Sequence, residues 1–167
     1  MTLRLILTRH AKSSWDSPDM QDHDRPLNDR GRQAAPAISA WLAEHGHIPA
    51  EVVCSTARRT LETWAAMATR FPDGIILRRS PELYHATPDM MLKVLHGCAS
   101  SPVMMLGHNP GIAGLASALL QFPVDHPRFG RYPTCATLVA EFDAEDWSEV
   151  DPGSGRAIDF IVPRDLG

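Results

Sequence analysis

Short apolar runs alternate with amphipathic stretches along this chain, and the two periods predict two kinds of element. Leu3 to Leu7 is an apolar run that predicts a first, buried strand. After a polar loop, Asn28 is placed to cap a helix whose positions Ala34, Ile38, Trp41, Leu42 and His45 follow helical spacing; Pro36 predicts a kink in it and Gly46 its stop. Glu51 to Cys54 predicts a second strand, and STARRTLETWAAMATRF a second helix with Leu61, Trp64, Ala65 and Ala68 on one face. Ile75 to Leu77 reads as another strand. Thr87 then caps a helix opened by Pro88, with Met91, Leu92 and Leu95 inward and Gly97 at its end. Val103 to Leu106 is an apolar strand that runs into GHNPGIAGLASALL, where Asn109 and Pro110 look like the cap and first turn of a helix. Alternation places Ala136, Leu138, Ala140 and Phe142 on one face of a strand, and the turn DPGSG predicts a hairpin to a last strand at Ile158 to Val162.

Strands alternating with helices imply an α/β layered domain with a mostly parallel sheet, and the closing hairpin implies an antiparallel edge. The 167 residues, without repeats or long linkers, suit one domain spanning the whole chain. Ligands of such sheets bind beyond the carboxyl ends of the strands. That rule gathers three polar groups on one rim: Thr8, Arg9 and His10 after the first strand, Ser55 with Arg58 and Arg59 after the second, and Gly107, His108 and Asn109 after Val103 to Leu106. Singly, each has a plain explanation, since helix arginines are ordinarily exposed and a histidine can decorate a helix start. Jointly they suit phosphoryl chemistry. Guanidinium forks bind phosphate oxygens at any physiological pH, amides at the helix start near Asn109 and Pro110 add partial positive charge, and a neutral imidazole can attack phosphorus. If arginines supply the charge, no metal is required.

Charge and composition narrow the classes. The formal net charge of −4 leaves no global footprint for nucleic acid, so anion binding must be local. Three widely spaced cysteines, Cys54, Cys98 and Cys135, argue against a disulfide framework and for a reducing compartment. The N-terminal apolar run is too short for a signal peptide and is broken by Arg4, and no stretch approaches a membrane span, which predicts a cytoplasmic protein with no membrane partner. Without HExxH or paired cysteines no metal site or cofactor is expected, and without GK[ST] or GxGxxG a nucleotide-binding module is disfavoured. His45 and His47, on either side of a helix stop, are expected to face solvent.

The segments LTRHAKSSW, DRPLNDRGRQAA, CSTARRTLET, ELYHA and LGHNPG occur in the order found in the histidine phosphatase superfamily, and with PTCATLVAEF and VPRDL the chain most resembles its small bacterial SixA-like phosphohistidine phosphatases. The resemblance implies a three-layer α/β/α sandwich. It implies His10 as the phosphorylated nucleophile, with Arg9, Arg59 and His108 binding the phosphoryl group. Arg59 rather than Arg58 matches the family arginine, because it stands midway between Ser55 and Thr63. Ala11 replaces the glycine usual in the superfamily, as in SixA-like members, and Ser55-Thr56-Ala57 replaces S-P-L. The general acid is harder to place: Glu82, just before Leu83 and Tyr84, is the candidate, with Asp16 and Asp22 as alternatives. Lys12 and Ser14, with Ser13 beside them, and Asn109 are expected to bind substrate.

A site weak in acid function favours phosphoramidates, whose nitrogen leaving group is easier to expel than an alkoxide. No segment reads as a lid, so a shallow basic pocket is expected, suited to a phosphorylated side chain on a protein. The expected activity is therefore a metal-independent phosphatase acting on phosphohistidine in proteins. Hydrolysis of small phosphate esters is the enzymatic alternative, and a non-catalytic phosphate- or phosphopeptide-binding module the alternative of another class. A mutase is disfavoured, because the segments that would hold a phosphoacid are missing.

Overall fold

The computed structural model describes residues 1–167. Six strands form one sheet in the order β3-β2-β4-β1-β5-β6. They are β1 (Thr2–Arg9), β2 (Glu51–Ser55), β3 (Ile76–Ser80), β4 (Val103–Gly107), β5 (Thr137–Asp143) and β6 (Arg156–Ile161). The first four run parallel, while β5 is antiparallel to both β1 and β6. The expected antiparallel edge is thus the β5–β6 hairpin, which carries an irregularity between Val139 and Ala140.

Two clusters of buried side chains cover the two faces of the sheet. On one face Leu5, Leu7, Val53, Met105 and Leu138 pack beneath α3 (Pro88–His96) and α4 (Gly111–Leu119) through Met91, Leu95, Ile112 and Leu115. On the other, Ile6, Val52, Met104 and Val139 pack beneath α1 (Asp29–Glu44) and α2 (Arg58–Ala68) through Ile38, Leu42, Trp64 and Met67. Alternate residues of one strand feed opposite clusters, as a strand period of two requires. This is the three-layer α/β/α sandwich. No helix is long and apolar enough to cross a membrane.

The caps read from the sequence are largely in place. Asn28 and Thr87 accept from the amides of Gly31 and Met90 at the starts of α1 and α3. Gly46, at φ 77°, ends α1 in the left-handed region where glycine carries no Cβ penalty. Pro36 lies inside α1, which continues to Glu44.

Four expectations need correction. The buried face of α2 is Thr60, Thr63, Trp64 and Met67, whereas Ala65 is exposed. Threonines can occupy that face because their hydroxyls donate to the carbonyls of Ser55, Ala57 and Arg59. β3 runs on through Arg78 and Arg79, which an edge strand tolerates, and Arg78 pairs with Glu51 at 2.8 Å. α4 starts one residue later than expected, with Pro110 as its cap. His47 is buried, with Nε2 at 2.6 Å from Asp159 and Nδ1 at 3.2 Å from Arg4, while His45 stays exposed and stacks on Trp41.

Candidate active site

Arg9 pairs in register with Gly107, and Cys54 with Leu106, so β1, β4 and β2 end level with one another. The chain leaves β1 for α1 on one face of the sheet and β4 for α4 on the other. Such a divergence between adjacent parallel strands opens a crevice at their carboxyl ends. His10 and His108, each one residue past its strand, face each other there with ring centroids 5.3 Å apart. A cleft of about 340 Å³ opens around them, lined also by Arg9, Lys12, Ser13, Trp15, Asp22, Arg25, Arg59, His85, Asn109 and Thr134.

Each ring is held by a defined partner. His10 Nδ1 lies 2.7 Å from the Ala11 carbonyl, so it must carry the proton, and Nε2 keeps its lone pair. The Ala11 amide donates to Thr63 Oγ1, and Thr63 donates to the Arg59 carbonyl, which ties the segment after His10 to α2. His108 Nε2 lies 2.7 Å from Ser55 Oγ, which also accepts from the Ala57 amide. The Ser55 hydroxyl proton has no acceptor other than Nε2, so the tautomer that satisfies it has Ser55 donating to Nε2 and leaves His108 Nδ1 as an N–H donor without a partner.

Burial drives the His10 imidazole down to about 3; its bond to Ala11 opposes this, and the charges of Arg9, Arg59 and Arg25 add to it. Burial likewise takes His108 to about 3, helped by His10, Arg59 and His85 and opposed by Asp22. Both rings are neutral at pH 7.

The arginines are incompletely paired. Arg9 donates to the Tyr132 carbonyl, and Arg59 donates to the backbone and carboxylate oxygens of Asp22 at 2.8 and 3.0 Å. Arg25 bonds Ser13 Oγ at 2.7 Å, pairs with Asp22 at 3.4 Å and stacks 3.5 Å from the centre of the Trp15 ring. Of the six buried side-chain polar atoms without a hydrogen-bond partner, five belong here: Nε of Arg9, Arg25 and Arg59, Nη1 of Arg25, and Nδ1 of His108. Unpaired buried donors are costly, on the order of 1–3 kcal/mol each. All five belong to residues that line the cleft.

The cleft brings together Arg9, His10, Lys12, Arg59, His108 and Asn109. Asn109, however, uses its amide on the chain: Nδ2 donates to the carbonyls of Arg131 and Tyr132, and Oδ1 accepts from the Ala113 amide. Two expected residues stand outside. Ser14 turns away and accepts from the Asp16 amide, because Ser13 forms a bridge with Leu27 and alternation then sends only Ser13 inward. Glu82 is exposed in the turn Pro81–Leu83, where Leu83 takes the inward direction. Its own backbone amide and Ser80 Oγ hold its carboxyl below the usual glutamate range. Asp16 is exposed and does not line the cleft.

Of the carboxylates considered as acids, Asp22 alone lines the cleft. Partial burial pushes its carboxyl up, but the Tyr84 hydroxyl, the Arg59 hydrogen bond and the charges of Arg59 and Arg25 outweigh this and leave it at about 2. Arg25 sits in a loop, within DRPLNDRG, whose residues carry no periodicity, so no local pattern marks it for the cleft.

The chain matches the histidine phosphatase superfamily (branch 1) over residues 5–84. It is 32% identical over 166 residues to the uncharacterised protein Rv1276c of Mycobacterium tuberculosis, which takes in 93% of this chain and 99% of that one. It is similar to the structure of a candidate phosphohistidine phosphatase SixA from Agrobacterium tumefaciens, at 28% identity and a TM-score of 0.78, with 96% and 98% of the two chains covered. The protein histidine phosphatase SixA solved with tungstate shares the fold, at 21% identity and a TM-score of 0.78 over 99% of this chain and 100% of that one.

Proposed function

Because this chain belongs to the histidine phosphatase superfamily, in its SixA-like group, and is a phosphatase, we propose that it hydrolyses phosphohistidine in proteins through a covalent intermediate on His10, without a metal. The observation that carries the reading is the ring of orphaned cationic and N–H donors around a neutral histidine whose Nε2 is free. The tungstate held by the SixA relative is a tetrahedral oxyanion, the kind of guest such a ring would take.

In this mechanism Nε2 of His10 attacks phosphorus as the bond to the substrate nitrogen breaks. The departing imidazole keeps the electron pair of that bond and is neutralised by a proton from solvent. Arg9, Arg59 and Nδ1–H of His108 hold the non-bridging oxygens as charge redistributes among them. Water then attacks phosphorus, the P–N bond to His10 breaks, and inorganic phosphate leaves.

The substrate class follows from the missing acid. Glu82 is turned away, and Asp22 is ionised at neutral pH, so no carboxylic acid stands ready to protonate an alkoxide. A phosphoramidate nitrogen makes the smaller demand.

The test is phosphoenzyme trapping with phosphoramidate, on the wild type and His10→Ala, with chelator present. An acid-labile, base-stable adduct that is lost in His10→Ala is expected. Rates on a phosphohistidine peptide are then compared with those on an alkyl phosphate. Faster ester turnover would overturn the substrate class. Tight phosphate binding without adduct or turnover would make the protein a binding module.

A further inference from the structure

We propose that a basic groove beside the phosphoryl cleft binds a carboxylate-rich segment of the protein substrate, next to its phosphorylated histidine; this rests on the function proposed above. The groove, of about 690 Å³, draws Arg30 from α1, Arg128 from the segment before β5, and Arg164 from the final turn Pro163–Leu166. Lys12 and Thr134 line both groove and cleft, so an extended chain can pass from one to the other.

Three features point to an acidic occupant. No aspartate or glutamate lines the groove, although acidic residues outnumber basic ones in the chain, 20 to 16. Lys12, Arg30, Arg128 and Arg164 enter none of the ion pairs. The nearby acids are occupied: Asp29 pairs with Arg32, and Asp165 accepts from His126 and the Val162 amide.

The form of the groove distinguishes a polypeptide from a second phosphate. A phosphate site needs convergent, sequestered donors, as in the cleft. Here Lys12, Arg30 and Arg164 are exposed and come from separate elements. Exposed ion pairs are individually weak, so useful affinity requires several carboxylates spread along the groove. Its apolar lining by Ala34, Ala37 and Leu166 offers packing for a peptide's aliphatic parts.

The experiment compares two peptides carrying one histidine, one flanked by Asp and Glu and the other by Ser and Gly, on the wild type and on Arg30→Gln/Arg128→Gln/Arg164→Gln. Binding of the unphosphorylated peptides is titrated, and kcat and KM are measured on the phosphorylated ones. Phosphoramidate turnover, confined to the cleft, reports that each protein is folded and active. The wild type should favour the acidic peptide about tenfold in Kd and KM with kcat unchanged, as three weak charge pairs together would give. The triple variant should lose that preference, and so should the wild type in about 0.5 M salt. Should the triple variant misfold, Arg30→Gln and Arg164→Gln singly, each at an exposed position, should each lose part of it.

Equal affinities, or a preference that survives the substitutions, would overturn the groove. So would pyrophosphate bound as tightly as the acidic peptide and released by the same substitutions, since the occupant would then be a small phosphate. Wild type that leaves phosphoramidate intact would overturn the enzymatic reading instead, while the peptide titration still decides the groove.

Discussion

His10 and His108 are both neutral, yet the partner of one ring nitrogen leaves each with a different free nitrogen. The Ala11 carbonyl takes the proton of His10 Nδ1 and frees a lone pair; the Ser55 hydroxyl supplies His108 Nε2 and frees a donor. Ser55→Ala should therefore slow turnover roughly tenfold, about the cost of a buried polar atom left unpaired, with the loss in kcat rather than in KM; steady-state kinetics on phosphoramidate checks this. The two neighbouring arginines of α2 differ more sharply. Arg59 is buried in the cleft, whereas Arg58 is exposed and spends its guanidinium on Glu62 at 2.9 Å. Arg59→Ala should cost about 3 kcal/mol of transition-state stabilisation, as a lost oxyanion donor does, and Arg58→Ala should stay within about twofold. Equal losses in kcat/KM would refute the assignment of the pocket arginine.

Between elements, the tightest constraint on the site is the approach of α1 to the segment after His10. A Cβ at Gly31 would lie 2.2 Å from the Lys12 carbonyl oxygen, and the Asn28 amide donates to that same oxygen. Both partners are backbone, so neither can rotate away. Gly31→Ala should lower stability by about 1–3 kcal/mol, the usual cost of overpacking, and should impair phosphate binding because the loop carrying Lys12 and Ser13 must shift. Chemical denaturation and phosphate titration on the same variant check both effects. A stable variant with normal phosphate affinity would show that the loop gives way without cost. α4 is coupled to the site similarly, through Asn109, which links its first turn to the Arg131–Tyr132 carbonyls, and Tyr132 O also receives Arg9.

For the whole molecule, the site makes stability depend on acid. The folded-state values of His10 and His108, about 3, lie below the free imidazole's 6.5, so the unfolded chain takes up protons first as pH falls. Stability is then full above about pH 6.5 and declines toward pH 3. Asp22, depressed from 3.8 to about 2, adds a loss in the same direction over a lower window. Denaturant midpoints measured from neutral pH down to about 4 should fall, and the fall should be shallower in His10→Gln/His108→Gln. On the proposed function, phosphate bound in the cleft should stabilise the folded state by about 2.7 kcal/mol at a hundredfold excess over its Kd, and so raise the midpoint at every pH. An unchanged slope in the double variant would place the acid sensitivity elsewhere.

The local pattern by itself determined most of the strands and caps and the rim on which Arg9, His10, Ser55, the Arg58–Arg59 pair and His108 stand; the choice of Arg59 came from the resemblance, and β3 ran past its expected end. Periodicity is a property of neighbouring residues, and a parallel sheet places every strand end on a common edge. The alternation of Ala136, Leu138, Ala140 and Phe142 was legible in the same way, and all four lie in one core cluster. Only the tertiary structure decided where the loop side chains point. Ser13 rather than Ser14 enters the cleft because of a bridge to Leu27, and Glu82 leaves it because Leu83 claims the interior. Arg25 is sixteen residues beyond Arg9 and reaches the same cleft by a loop with no period to read. His47, expected in solvent, is buried by Arg4 and Asp159, which come from β1 and β6. Apart from Glu82, whose contacts are local, each of these depends on a contact between segments distant in the chain, and no pattern of adjacent residues encodes it.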